Sequence, residues 1–144
     1  MMELFVNLPG THRAPRSARC VVHALPGVVL PRVEDVELLV SELVANSIRH
    51  GALGAWDAVT LHIDLTERRI RVEVTDPGPS FVVGPPGPSA DGMSGWGLLL
   101  VDRLASRWGV CEDSATTKVW FEIDIDHPPE SRAPERLADL PPSP

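Results

Sequence analysis

Between Pro31 and Gly51 the residues Val36, Leu39, Val40, Leu43, Val44 and Ile48 recur at three- and four-residue steps. That spacing predicts an amphipathic helix with one apolar stripe, ended by Gly51. Such a stripe has to be covered, and the segments that follow predict the cover. Val59, Leu61, Ile63 and Leu65 alternate with polar residues, and Ile70, Val72 and Val74 repeat the alternation after a turn at Thr66-Glu67-Arg68. The two runs read as a hairpin with one apolar face and one polar face.

Around this helix and hairpin the rest of one domain can be placed. Glu3 to Leu8 has the length of an edge strand, broken by Pro9-Gly10-Thr11, and Pro15 to Leu25 suits a first helix ended by Pro26-Gly27. Asp76 to Gly95 carries Pro77, Pro79, Pro85, Pro86 and Pro88 with several glycines, a composition for a loop over a ligand. A third helix is expected from about Leu98 to Ser106. Further strands are expected near Arg107 to Cys111 and Lys118 to Ile125, where Val119, Phe121, Ile123 and Ile125 alternate. The chain from His127 onward is rich in proline and charge, which predicts a disordered tail over 127–144 after a domain over 1–126. The expected fold is α+β: a two-layer sandwich of a mostly antiparallel or mixed sheet with about three helices on one face. The other face is left partly exposed or shared with a partner, a second copy included.

The chain has 144 residues, a single domain's length, with 43% hydrophobic and 23% charged residues. Its net charge of −7 removes the attraction to phosphate backbones on which nucleic-acid binding rests, so direct nucleic-acid binding is not expected. Cys20 and Cys111 lie far apart with no further ligand at metal spacing, and they read as reduced, partly buried thiols of a cytoplasmic protein. The start Met1-Met2-Glu3-Leu4 has no basic segment leading into an apolar run, and no stretch approaches the roughly eighteen apolar residues of a membrane span. Trp56, Trp108 and Trp120 are expected to pack, and His12, His23 and His62 to be surface or core histidines. Trp96, between two glycines, lies beside a ligand or covers the core edge. Arg19 on the first helix reads as solvated.

Polar chemistry concentrates on the second helix, where Glu42, Asn46 and His50 are spaced by four and stand above one another. A polar stripe on a helix is by itself often only the wet face. The segment Glu42-Leu43-Val44-Ala45-Asn46-Ser47-Ile48-Arg49-His50-Gly51, however, closely resembles the N box of the GHKL (Bergerat-fold) ATPases. Asp76-Pro77-Gly78-Pro79 follows the hairpin where that family has an aspartate-x-glycine motif, and Gly95-Trp96-Gly97-Leu98 opens the third helix where a second glycine motif belongs. Asp-x-Gly is also common turn chemistry and Gly-x-Gly also starts ordinary helices, but three motifs in order and spacing are specific. The match runs from about Met2 to Ile125 and is most similar to the bacterial anti-sigma-factor serine/threonine kinase branch.

The resemblance implies ATP and Mg²⁺ as cofactors, with Asp76 accepting from the adenine amino group and Gly78 letting the chain pass close to the base. Asn46 would be the Mg²⁺ ligand, its neutral carbonyl oxygen suiting a hard cation. Glu42, one turn earlier, would be the general base near the γ-phosphate. Gly95 and Gly97 would free backbone N–H groups for phosphate at a helix N-terminus, and His50, Leu98 and Thr117 complete the nucleotide-binding set. The implied activity is phosphorylation of an anti-sigma-factor antagonist protein together with sequestration of a sigma factor. A nucleotide-sensing module that switches partners without phosphotransfer, and a scaffold without nucleotide, are the alternatives. One departure stands out. Kinases of this branch commonly carry a threonine directly before the valine-tryptophan of the last strand, but here that residue is Lys118 and Thr117 comes one place early. Because strand side chains alternate faces, the two point to opposite sides unless a bulge shifts the register.

Overall fold

A computed structural model of the chain describes residues 1–25, 32–50, 53–54, 56–77 and 96–126, with the side chains of His50, Trp96 and Gly97 left out. In chain order the elements are β1 (Met2–Pro9), α1 (Ala14–His23), α2 (Val33–His50), β2 (Ala58–Leu65), β3 (Arg69–Pro77), α3 (Trp96–Leu104), β4 (Arg107–Glu112) and β5 (Thr116–Asp124). The strands form one five-stranded sheet in the order β1-β2-β3-β5-β4, so β1 is the edge strand its sequence suggests and β4 is the other edge. Every pairing is antiparallel. The described residues therefore form an α+β fold, a sheet with three helices, as the residue pattern implies.

The alternation that marks β2 and β3 is realised residue by residue. Val59, Leu61, Ile63 and Leu65 on β2 and Ile70, Val72 and Val74 on β3 are buried, with Val119, Phe121 and Ile123 of β5 beside them. This apolar face receives Val36, Leu39, Val40, Leu43 and Val44 of α2, which are at most 2% exposed. Fully burying side chains of this size is worth about 1.5–3 kcal/mol each, so the α2 stripe against the sheet is the main source of cohesion. Ala14, Ala18 and Val22 bring α1 onto α2, the two alanines permitting close approach, and Leu98, Val101 and Ala105 anchor α3 and the turn after it in the same core.

Local chemistry sets several boundaries. A proline in its first turn helps start α1, and Glu34 and Asp35 in the first turn of α2 favour its positive end. Arg32 bridges two helices: Nε donates to Asp35 Oδ2 at 2.8 Å and Nη2 to the Leu104 carbonyl at 2.7 Å, satisfying an orphan acceptor at the end of α3. Thr66 closes the β2–β3 turn, its backbone N–H donating to the Arg69 carbonyl and its hydroxyl oxygen accepting from the Arg69 N–H. Asp113 closes the β4–β5 turn by accepting from the N–H groups of Ala115 and Thr116, both at 2.7 Å. These charge-assisted bonds, with one from the Thr116 hydroxyl, hold its carboxyl below the ordinary value.

Several expectations change. α1 begins one residue before Pro15 and ends at His23, short of Leu25, and α3 occupies 96–104 where 98–106 is expected. Cys20 and Cys111 are both exposed, because Cys20 lies on the outer side of α1 and Cys111 on the edge strand β4. Trp56, expected to pack, is 98% exposed in the turn leading into β2. Trp108 is half-buried against the core with its indole N–H on Asp102 Oδ1, but Trp120 packs on the opposite, polar face of the sheet. His12 and His23 are exposed and His62 half-buried, all at the surface. The ligand-loop segment 78–95, with Gly78 and Gly95, and the tail 127–144 lie outside the described residues. No helix among the described residues is long and apolar enough to cross a membrane.

Candidate functional site

The far end of α2 departs from the apolar rule that governs its beginning. Stepping along the stripe from Leu39 and Leu43, the next inward positions are Asn46 and Ser47, and they are 4% and 3% exposed. On the sheet the same change occurs at Asp76, which follows Val72 and Val74 on the core face of β3 and is 3% exposed. Thr117 of β5 stands directly opposite Asp76 in the ladder and is fully buried. Four of the five buried polar or charged side chains among the described residues thus belong to α2, β3 and β5 at one end of the core. Burying polar groups costs stability unless they are bonded, so such a cluster marks a place kept for something other than cohesion.

The cluster is internally bonded. The Ser47 hydroxyl donates to the Asp76 carboxylate. Loss of water pushes the Asp76 carboxyl above its ordinary value, and the Ser47 bond draws it part of the way back. Arg49 Nη2 donates to Asn46 Oδ1 at 3.2 Å, so that carbonyl oxygen has one guanidinium partner and a second lone pair to offer. Glu42 lies one turn before Asn46 on the same side of α2 and is half-buried. Neither Ser47 nor Arg49 stands out in the bare motif. The signal for Ser47 is a hydroxyl at a stripe position where Leu39 and Leu43 predict another apolar side chain.

Of the residues singled out from the sequence, Asn46, Asp76 and Thr117 lie in this buried cluster and Glu42 is half-buried one turn before Asn46 on α2. His50 closes α2. Gly97 lies in the first turn of α3, and Leu98 is buried in the hydrophobic core at 5% exposure. The ladder from Arg69 to Pro77 against Asp124 to Thr116 runs without a bulge. Consequently Thr117 shares the face of Asp76, while Lys118 points to the opposite face and its Nζ lies 2.9 Å from Glu73 Oε2. A threonine at 118 would have pointed away from Asp76.

Two of the side chains have chemistry that would suit a Mg²⁺–nucleotide. A buried carboxylate at a strand end can accept from an exocyclic amine, and a neutral amide oxygen on the neighbouring helix suits a hard cation. Among the described residues no three His, Cys, Asp or Glu side chains cluster as in a preformed metal centre, so a cation here would take most of its ligands from phosphate and water.

Residues 8–123 match the family model of the histidine kinase-like ATPase domain. The chain belongs to this family. Of the three motifs that suggest a GHKL-type fold, the first contributes Asn46 and Ser47 to the buried polar cluster and the second contributes Asp76, while Gly78 and Gly95 lie outside the described residues. A curated relative, a serine-protein kinase RsbW from Listeria innocua, is 33% identical over 84 residues, covering 50% of this chain and 54% of its own length. The chain thus spans about half the length of that relative. Among solved structures, the RsbU and RsbW domains of Rv1364c from Mycobacterium tuberculosis superpose with a TM-score of 0.66 at 20% identity, covering 89% of this chain and 34% of that one. The histidine kinase domain of a blue-light activated histidine kinase from Erythrobacter litoralis gives a TM-score of 0.53 at 18% identity over 78% of this chain and 58% of the other. At these identities the structural likenesses carry the fold.

Proposed function

We propose that this domain is a Mg²⁺-ATP-dependent serine/threonine protein kinase of the anti-sigma-factor type, acting on an antagonist protein and holding a sigma factor as its other partner. The observation that carries this reading is the buried, bonded set of Asn46, Ser47, Asp76 and Thr117 at one end of an otherwise apolar core, in a member of an ATPase family with an RsbW relative. Asp76 receives the adenine amino group, Thr117 lies beside it across the ladder, and Asn46 gives the metal its protein oxygen. Mg²⁺ held there would supply neutralisation of phosphate charge. Glu42 accepts the proton of the attacking hydroxyl, which belongs to a second protein.

The test is incubation of the protein with Mg²⁺-ATP and small antagonist-type proteins, followed by mass spectrometry of the antagonist and titration of sigma-factor binding in ATP, ADP and no nucleotide. A phosphorylated serine or threonine on the antagonist is the expected result. Nucleotide-dependent partner binding without phosphate transfer would instead support a partner-switching module, and indifference to nucleotide would leave a scaffold.

A further inference from the structure

Asn46 and Ser47 are consecutive on α2, yet they serve different ends of the buried cluster. Asn46 is turned toward Arg49 and the Glu42 side of the helix, whereas Ser47 reaches across to β3 and bonds Asp76. Both are at most 4% exposed. A serine is an unfavourable filler for a buried helix position next to Leu43 and Val44 unless its hydroxyl is used, because alanine would pack there with better helix propensity and no polar cost. The use is visible. Asp76 is 3% exposed on a face that, apart from Thr117 opposite it, is apolar, and a carboxylate there needs donors to remain a carboxylate.

We propose that Ser47 is the positioning residue for Asp76: its hydroxyl fixes the rotamer of the buried carboxylate so that the other oxygen is aimed as an acceptor at the 6-amino group of a purine. The idea rests on the nucleotide reading of Asp76 and adds the device that makes it selective. A protonated or rotated Asp76 would offer a weaker, neutral acceptor, or a donor, and would lose its preference for a 6-amino over a 6-oxo base. A hydroxyl on α2 thereby links the helix that carries Glu42 and Asn46 to the strand that reads the base, so both ends of one nucleotide are set from consecutive helical residues.

The experiment is a double-mutant cycle read by calorimetry, using Ser47→Ala, Asp76→Asn and the double variant with Mg²⁺-ATP and Mg²⁺-ITP between pH 5 and 8. Ser47→Ala is chosen because alanine suits a buried helix position, and circular dichroism with a melting curve checks that the fold persists. Ser47→Thr, which keeps the hydroxyl, is the rescue. The expected result is about tenfold weaker ATP binding in Ser47→Ala with ITP binding little changed. The loss relative to wild type should grow as pH falls, since without its donor Asp76 takes up a proton at higher pH. Titration of the nucleotide cancels in that ratio. In the Asp76→Asn background Ser47→Ala should cost much less than it does alone, and Ser47→Thr should bind ATP within a few-fold of wild type. If Asp76→Asn weakens ATP but Ser47→Ala does not, or weakens ATP and ITP equally at every pH, Ser47 is a packing residue and the inference falls while the nucleotide site stands. Wild-type ATP affinity in Asp76→Asn would overturn both.

Discussion

Glu73 and Asp76 are carboxylates on one strand, three residues apart, and they have opposite fates. Glu73 faces the polar side of the sheet, where Lys118 Nζ lies at 2.9 Å, Arg71 Nη2 at 2.8 Å and His62 Nδ1 at 3.5 Å from its oxygens. Burial works against its charge, but the bonds from Lys118, Arg71 and His62 outweigh it and lower its pKa to about 2. Asp76 faces the core, has a neutral hydroxyl as its named partner, and is pushed the other way. The strand's alternation alone separates a carboxylate paired on the polar face from one held in the core, the one proposed above to read the base. The same contrast runs across the sheet: on the polar face Glu122 accepts from Arg71 Nη1 at 2.9 Å and Arg107 Nε at 2.7 Å, and the Arg71 guanidinium stacks 4.1 Å over Trp120. The Trp120 ring lies so close over Gly109 that a Cβ there would come within 2.9 Å of it, which ties β4 to that face without a side chain of its own.

The widest difference between the faces should appear in chemistry. Glu42→Gln keeps the shape of the side chain and removes the base proposed above, so on that reading phosphotransfer to the antagonist should fall by about 10²–10⁴-fold while ATP still binds. Single-turnover assays with labelled ATP read this directly. Glu73→Gln on the polar face should leave that rate within a few-fold, and an equal loss in the two variants would erase the distinction.

Next comes binding. Asp76→Asn should weaken Mg²⁺-ATP by about ten- to a hundredfold, the value of a charge-assisted bond of about 1.5–3 kcal/mol. The same substitution should raise the melting temperature of the nucleotide-free protein at neutral pH. A carboxyl whose pKa is raised on folding stabilises the fold below its unfolded pKa, and that contribution is lost as pH rises through the folded value. Above it the buried charge is a cost that asparagine lacks. Thermal melts at pH 7 decide this, and a lower melting temperature would place Asp76 among the stabilising groups.

Glu73→Gln should do the reverse, lowering stability at pH 7 by about 1–3 kcal/mol with ATP affinity intact. Its carboxyl is lowered on folding, so its contribution is fully present above the unfolded value of 4.5 and is lost as pH falls toward about 2. Urea melts from pH 7 to pH 3 should therefore show a shallower acid decline in the variant than in wild type.

The smallest effect is expected at Lys118, whose side chain is 41% exposed. Lys118→Thr restores the residue type of the kinase pattern but on the face away from Asp76, so ATP affinity should not change and stability should fall by no more than about 1 kcal/mol. A gain in ATP affinity would mean that the register of β5 differs from the one described.

The sequence carries the helix and strands of the core because burial imposes a period, 3.6 on α2 and 2 on β2, β3 and β5, and periods are local. It also carries the motif residues Glu42, Asn46 and Asp76, since their spacing along the chain is what makes them recognisable. Element ends are less legible: α1 stops at His23, although Leu25, two residues on in the turn beyond the helix, is buried as the apolar pattern of the helix suggests. What no local period contains is register. Only the pairing of β3 with β5 decides that Thr117, and not Lys118, lies opposite Asp76, and only the packing of α2 on the sheet turns Ser47 from a stripe irregularity into the partner of that carboxylate. The same is true of the ion pairs on the polar face, where Glu73 meets Lys118 from a strand some forty residues later. Electrostatic partners depend on distances in space that fall off within a few ångströms, and those distances are fixed by the assembled sheet.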